Sequence, residues 1–187
     1  MSPIELSPSD ARYPSCLTER LGRDAPARLF ASGNLDLLAL PKIALFCSTR
    51  CPGSVLLAAY DQATRWRDEG RCIISGFHSP VEKECLRILL RGKQPIVICS
   101  ARSLEGMRLP AAWKSPLVEG RLLLLSRFSS KHRRVTAQLA SKRNHFVAAL
   151  ATEVFVVYST PGSKIENTCR SALNLGQPTA VPGPCPA

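Results

Sequence analysis

Three short stretches of this sequence combine hydroxyls, glycine and cations as an anion site requires. They are Ser48-Thr49-Arg50-Cys51-Pro52-Gly53-Ser54, Ser75-Gly76-Phe77-His78-Ser79-Pro80 and Ser159-Thr160-Pro161-Gly162-Ser163-Lys164. The first brings two hydroxyls and a guanidinium to a glycine near a helix start, a set suited to an anion. In the second, Gly76 permits close backbone approach and Ser79 is placed to cap a helix. The third again offers small residues, hydroxyls and a cation, Lys164, before a helix. A fourth segment, Lys142-Arg143-Asn144-His145, is rich in cations. Arg143 can clamp a phosphate bidentately if it faces the loops; the same pattern also fits an exposed helix face. Each loop alone is equally an ordinary strand-to-helix turn, so their weight comes from sharing one edge of the fold.

Catalytic chemistry is less well supplied. His78 adjoins Ser79, but no acid close in sequence would orient it. Glu166 suits either a base or a partner for a helix dipole. Neither G-x-x-x-x-G-K-[ST] nor G-x-G-x-x-G is present, which argues against P-loop chemistry. Eight cysteines invite thoughts of disulfides or zinc. However, Cys47, Cys72, Cys99 and Cys169 sit in apolar runs, where Cys acts as a small hydrophobe. There is no C-x-x-C pair, and His78, His132 and His145 do not fall at ligand spacing. Cys47 is read as closing a strand, with Cys51 in the loop beyond. Neither a metal nor a cofactor is expected.

The loops need elements to position them. Residues 1–41 are turn-rich, with Tyr13-Pro14, Pro26 and Pro41, and read as an irregular lead-in strapped to the core by Leu29 and Phe30. From Lys42 the pattern changes to short apolar runs separated by helical periodicity. Ile43 to Cys47, Cys72 to Ile74, Pro95 to Cys99, Leu122 to Leu125, Val154 to Tyr158 and Thr179 to Val181 read as strands. Helices follow around Val55 to Trp66, Pro80 to Leu89, Val135 to Leu150 and Ile165 to Leu173, with a short one near Pro110 to Lys114. This alternation predicts a doubly wound, mainly parallel, Rossmann-like α/β domain. It has about six strands with helices on both faces, over residues 42–183, and a loose tail at 184–187. In such sheets ligands bind beyond the carboxyl ends of the strands, where the three loops lie.

Charge points the same way. The 187 residues carry a formal net charge of +11, with hydrophobic content of 45%. Residues 1–42 are balanced, whereas residues 121–187 hold nine basic side chains against two acidic ones. That concentration is the footprint of a phosphate-rich partner, or else a solvated face. The apolar content excludes a disordered basic tail, and no run approaches a membrane span. No secretory signal is visible, so the expectation is a soluble, cytoplasmic protein with no membrane partner.

In order and spacing these residues resemble the DNA-processing protein A (DprA/Smf) family. The likeness runs through Tyr13-Pro14, Ala27 to Gly33, the strand ending Ser48-Thr49-Arg50, and Ile73-Ile74-Ser75-Gly76. It continues in Arg143-Asn144, Val147 to Ala151, Val154 to Tyr158, Gly162-Ser163 and Ala180-Val181-Pro182-Gly183. The resemblance implies an extended Rossmann fold, a homodimer, single-stranded DNA in a basic pocket and a recombinase partner. It places Arg50, Ser75, Gly76, Arg143, Asn144, Gly162 and Ser163 at pocket positions. The family's Gly-Thr-Arg is Ser48-Thr49-Arg50 here, its Gly-Ile-Asp and Ala-His give way to Gly76 through Glu82, and the third residue of its Arg-Asn-Arg is His145. The chain is expected to be a minimal relative, without the family's winged-helix tail or helical N-terminal domain.

The expected function is single-stranded DNA binding without catalysis. Ser48, Thr49, Arg50, Ser75, Gly76, His78, Arg143, Asn144, Gly162, Ser163 and Lys164 form the phosphate site, with Phe77 or His78 stacking on a base. The alternative is a nucleotide-binding protein, or an enzyme that cleaves nucleoside monophosphates to release the free base, of the lysine-decarboxylase-like (LOG) type. Pro161-Gly162-Ser163-Lys164-Ile165-Glu166 keeps a trace of that family's turn. A partner-binding domain with no nucleic acid is the third reading.

Overall fold

The computed structural model describes residues 3–174 and 176–180. In chain order the elements are β1 (Ile4–Leu6), α1 (Ser15–Leu21), β2 (Leu29–Gly33), β3 (Lys42–Phe46), α2 (Leu56–Asp68), β4 (Cys72–Ser75) and α3 (Pro80–Leu89). Then come β5 (Ile96–Cys99), α4 (Ala111–Val118), β6 (Leu122–Ser126), α5 (Ala137–Leu150), β7 (Glu153–Val156), α6 (Lys164–Asn174) and β8 (Thr179–Ala180). The end of the expected sixth strand at Val181, the Val181-Pro182-Gly183 match and the tail at 184–187 lie outside the described residues.

One sheet runs in the order β1-β2-β6-β5-β4-β3-β7-β8. The strands from β3 to β8 are mutually parallel, and every residue of β3, β4, β5 and β6 is buried. Burial on both faces explains why these segments read as unbroken aliphatic runs rather than alternating ones. Alternate residues serve opposite cores. Ile43, Leu45, Ile73, Ile96 and Leu122 meet Ala59, Ala63 and Trp66 of α2 and Val81, Cys85 and Leu89 of α3. Ala44, Phe46, Ile74, Val97 and Leu123 meet Leu17 of α1, Phe146 and Leu150 of α5, and Ile165 and Cys169 of α6. The domain is therefore doubly wound and Rossmann-like, as expected.

The lead-in differs from its reading. It supplies two further strands, so the sheet has eight rather than six. β2 lies antiparallel against β6, with Phe30 opposite Ser126 and Gly33 opposite Leu123, and β1 lies antiparallel against β2. Leu29 and Phe30 do strap the segment to the core, by packed side chains and also through a backbone ladder. Tyr13 Oη closes the N-terminal turn by donating to Pro26 O (2.7 Å). Val135, read as helical, precedes α5 and is exposed.

This strand order creates a switch point. From β3 the chain winds one way through β4, β5 and β6, then returns to place β7 and β8 on the other side of β3. A crevice opens at the carboxyl ends of β3 and β7, the usual ligand position in open α/β sheets. Among the described residues, no helix is long and apolar enough to cross a membrane. Nor do three His, Cys, Asp or Glu side chains gather at metal-binding geometry among them.

Candidate functional site

The crevice at the switch point is a cavity of about 400 Å³. Its walls come from four places: the loop after β3, the loop after β4 with the start of α3, the middle of α5, and the turn into α6. Ser48, Thr49, Arg50, His78, Arg143, Asn144, Ser163 and Lys164 all line it. These loops converge because short βα connections in a parallel sheet leave from the same edge.

Ser48 ties two of the loops together. Its N–H donates to Tyr158 O (2.9 Å) and its Oγ accepts from Thr160 N–H (3.1 Å). Thr49 and Arg50 project beyond it and are exposed. Across the cavity, Ser163 Oγ accepts from Glu166 N–H (3.2 Å), satisfying one first-turn amide of α6. Lys164 Nζ donates to Ala137 O (3.0 Å), holding its ammonium between α6 and the start of α5.

Arg143 is the central cation, and it is buried. Its Nε donates to Asn144 Oδ1 (2.9 Å) and one Nη to Cys99 O (3.2 Å). The guanidinium lies directly over Gly76. A Cβ at that position would stand 0.9 Å from Nη1 and 1.8 Å from Cζ. Gly76 therefore makes room for Arg143, not for a ligand to meet the backbone. Burial lowers the pKa of Arg143, while the carboxylate of Glu82 pulls it back up.

Three expected residues do not line the cavity. Ser75 is fully buried, and its Oγ accepts from Phe77 N–H (3.1 Å) to form the turn. Gly76 sits beneath Arg143. Gly162 N–H donates to Glu166 Oε2 (2.5 Å), shaping the turn into α6. Phe77 cannot stack on a base. At φ 45 it turns into the core and is 5% exposed, which leaves His78 as the exposed ring of the pair.

Glu82 is the residue that sequence reasoning passed over. It is 4% exposed, yet it reaches the cavity floor. Its Oε1 accepts from Cys47 N–H (2.9 Å), and its Oε2 accepts from His78 N–H (2.7 Å) and Ser79 N–H (3.2 Å). One carboxylate thus locks the loop after β3 to the loop after β4. The local half of this arrangement is a capping box, Ser79-Pro80-Val81-Glu82, a pattern visible in the sequence. Burial raises the pKa of Glu82; Arg143 and the three backbone donors oppose that shift. Glu82→Gln replaces one acceptor oxygen by an NH₂ and turns part of this cluster into donor against donor. We expect a loss of about 1–2 kcal/mol in urea denaturation at neutral pH. An unchanged midpoint would show that the clamp contributes nothing.

The arrangement suits anion binding rather than covalent chemistry. Arg50, Arg143 and Lys164, the Thr49 and Ser163 hydroxyls and the Asn144 amide surround the space above a single buried carboxylate. Cys47 lines the cavity too, but burial and the neighbouring Cys51 push its thiol up, which keeps it protonated and a poor nucleophile. Glu166 does not line the cavity; its carboxylate is engaged by Gly162 and Arg170.

The sequence model of the DNA recombination-mediator protein A family matches residues 5–186. Among solved structures, the fold is similar to DNA processing protein A from Streptococcus pneumoniae, with a TM-score of 0.80 and 26% identity over 97% of this chain. The match spans 63% of that protein's length. DNA processing protein A from Helicobacter pylori, described for its single-stranded DNA binding mode, matches at a TM-score of 0.75 and 20% identity. That match covers 95% of this chain and 80% of the other. The molybdenum cofactor carrier protein of Chlamydomonas reinhardtii shares the fold more distantly, with a TM-score of 0.53 and 15% identity over 76% of each chain. A search of the curated proteins finds no match.

Proposed function

The chain belongs to the DNA recombination-mediator protein A family, and from that premise we propose that its switch-point pocket binds the phosphates of single-stranded DNA. The observation that carries this reading is the Arg143 guanidinium. It is buried over Gly76 at the cavity wall, with two of its N–H groups committed to Cys99 and Asn144. A guanidinium has five donors, and the remainder are available for a bidentate phosphate contact. Arg50 and Lys164 flank it at the exposed mouth, and His78 offers the ring for stacking. Backbone phosphates are common to every sequence, so the binding is sequence-tolerant. Recombinase delivery and a homodimer belong to the same proposal and rest on the family alone.

Fluorescence anisotropy with a labelled oligothymidylate tests the reading. Binding should weaken linearly in log–log form as salt rises, by roughly 0.7 per phosphate neutralised, so three pocket cations give a slope near −2. Arg50→Ala should cost about threefold to tenfold at low salt, irrespective of sequence. Absence of binding at low salt, or binding indifferent to salt, refutes the proposal.

A further inference from the structure

A second cationic surface adjoins the pocket, and the pocket reading does not use it. Between β6 and α5 the chain runs Ser129-Ser130-Lys131-His132-Arg133-Arg134. Lys131, His132, Arg133 and Arg134 are all exposed. Among the described residues, Lys131, Arg133 and Arg134 pair with no carboxylate, although seven other ion pairs are formed. Charge-mixed surfaces are the norm, so a cationic run without acids is self-repelling in the free protein and suited to a polyanion.

The backbone of this loop is held in place. His132 N–H donates to Ser129 O (2.9 Å), and Ser103 N–H donates to His132 O (2.8 Å). Arg102 reaches Arg133 O at 3.5 Å, and the His132 ring stands 5.6 Å from that of Phe128. A pinned backbone displays its cations at fixed places, so less ordering entropy is lost on binding.

Its position is continuous with the pocket. The loop borders an open concavity of about 680 Å³ whose far wall is Thr136 and Leu139, at the first turn of α5. The next residue, Ala140, lines the switch-point pocket. Only that turn separates the two basins. It has no acidic residue, and Lys164 Nζ is anchored on it at Ala137 O.

We propose that single-stranded DNA bound in the pocket continues over the first turn of α5 and is gripped through its phosphates by Lys131, Arg133 and Arg134. This rests on the pocket reading and deepens it: the loop lengthens the site without adding base specificity. The test compares oligothymidylates of roughly 4 and roughly 16 nucleotides, the range of site sizes for single-strand binders. The triple variant Lys131→Ala, Arg133→Ala, Arg134→Ala should bind the short oligomer as the parent does. It should lose about tenfold or more on the long one, with its salt slope shallower by roughly 2, from three phosphates at about 0.7 each. The charge-preserving variant Lys131→Arg, Arg133→Lys, Arg134→Lys should restore long-oligomer binding. Equal weakening at both lengths, or no weakening on the long oligomer, overturns the loop proposal. If Arg143→Ala still weakens binding about tenfold or more in those cases, the pocket reading stands without it. A parent protein that binds neither length overturns both.

Discussion

Gly76→Ala is expected to cost as much DNA binding as deleting the Arg143 guanidinium, about tenfold to a hundredfold, in a protein that still folds. The added methyl would stand 0.9 Å from Nη1 of Arg143 and 2.6 Å from Nη2, so both groups cannot keep their places. What yields is the end of a side chain, not backbone. The overpacking penalty should therefore stay near 2 kcal/mol. The functional loss is larger because Arg143 cannot shift and remain useful. Its present position is set by Cys99 O and Asn144 Oδ1, and moving it breaks both bonds and tilts the remaining donors out of the cavity. A double-mutant cycle gives the decisive reading. Arg143→Ala removes the clash, so Gly76→Ala should add almost nothing to binding in that background. Independent, additive losses would mean that Gly76 serves the ligand directly and that its relation to Arg143 is incidental.

That relation also shows where sequence reasoning stops. That Arg50 and Lys164 meet at one edge was legible because strand-to-helix loops can be read from local periodicity and a parallel sheet sends such loops to one edge. Local pattern left Arg143 equally suited to an exposed helix face, and only the family resemblance set it at the pocket. Gly76 was legible as an important glycine, but its reason was not. The atom that needs its space comes from a helix far along the chain. Glu82 was half legible. Its bonds to His78 and Ser79 are local capping, whereas its bond to Cys47 spans 35 residues and depends on β3 and β4 being neighbours. β1 and β2 were missed for the same cause. Leu29–Gly33 has mixed polarity and becomes a strand by pairing with β1 and with β6, the latter almost a hundred residues on. Ser75 and Gly162 carried the chemistry expected of ligand contacts, yet they use it to shape turns.

Above pH about 8.5, where an unfolded thiol ionises, the stability of the fold should fall by several kcal/mol per pH unit. Four buried thiols carry this effect. Burial pushes Cys72 up to about 11 and Cys85 and Cys99 up to about 12, and raises Cys47 as well. The folded chain therefore keeps these protons while the unfolded chain releases them. Stability from such groups is complete below the unfolded pKa and drains away as pH rises toward the folded values. Each contributes a slope of about 1.4 kcal/mol per pH unit, so four together approach 5 to 6 kcal/mol per unit. Lys42 works in the opposite sense. It is buried, its Nζ donates to Leu38 O (2.7 Å), and burial lowers its pKa, so its contribution rises with pH and opposes that of the thiols. Even a net slope of a few kcal/mol per unit, sustained from pH about 8 to 10, rivals the roughly 5–15 kcal/mol that holds a typical domain folded. Urea titrations under reducing conditions at pH about 8, 9 and 10 should show the midpoint collapsing across that range. Cys99→Ala isolates one term. It costs stability at neutral pH by leaving a small cavity, but it should flatten the alkaline slope by about 1.4 kcal/mol per unit. A slope unchanged in Cys99→Ala, or a midpoint level from pH about 8 to 10, would mean that these thiols are not retained as neutral core groups.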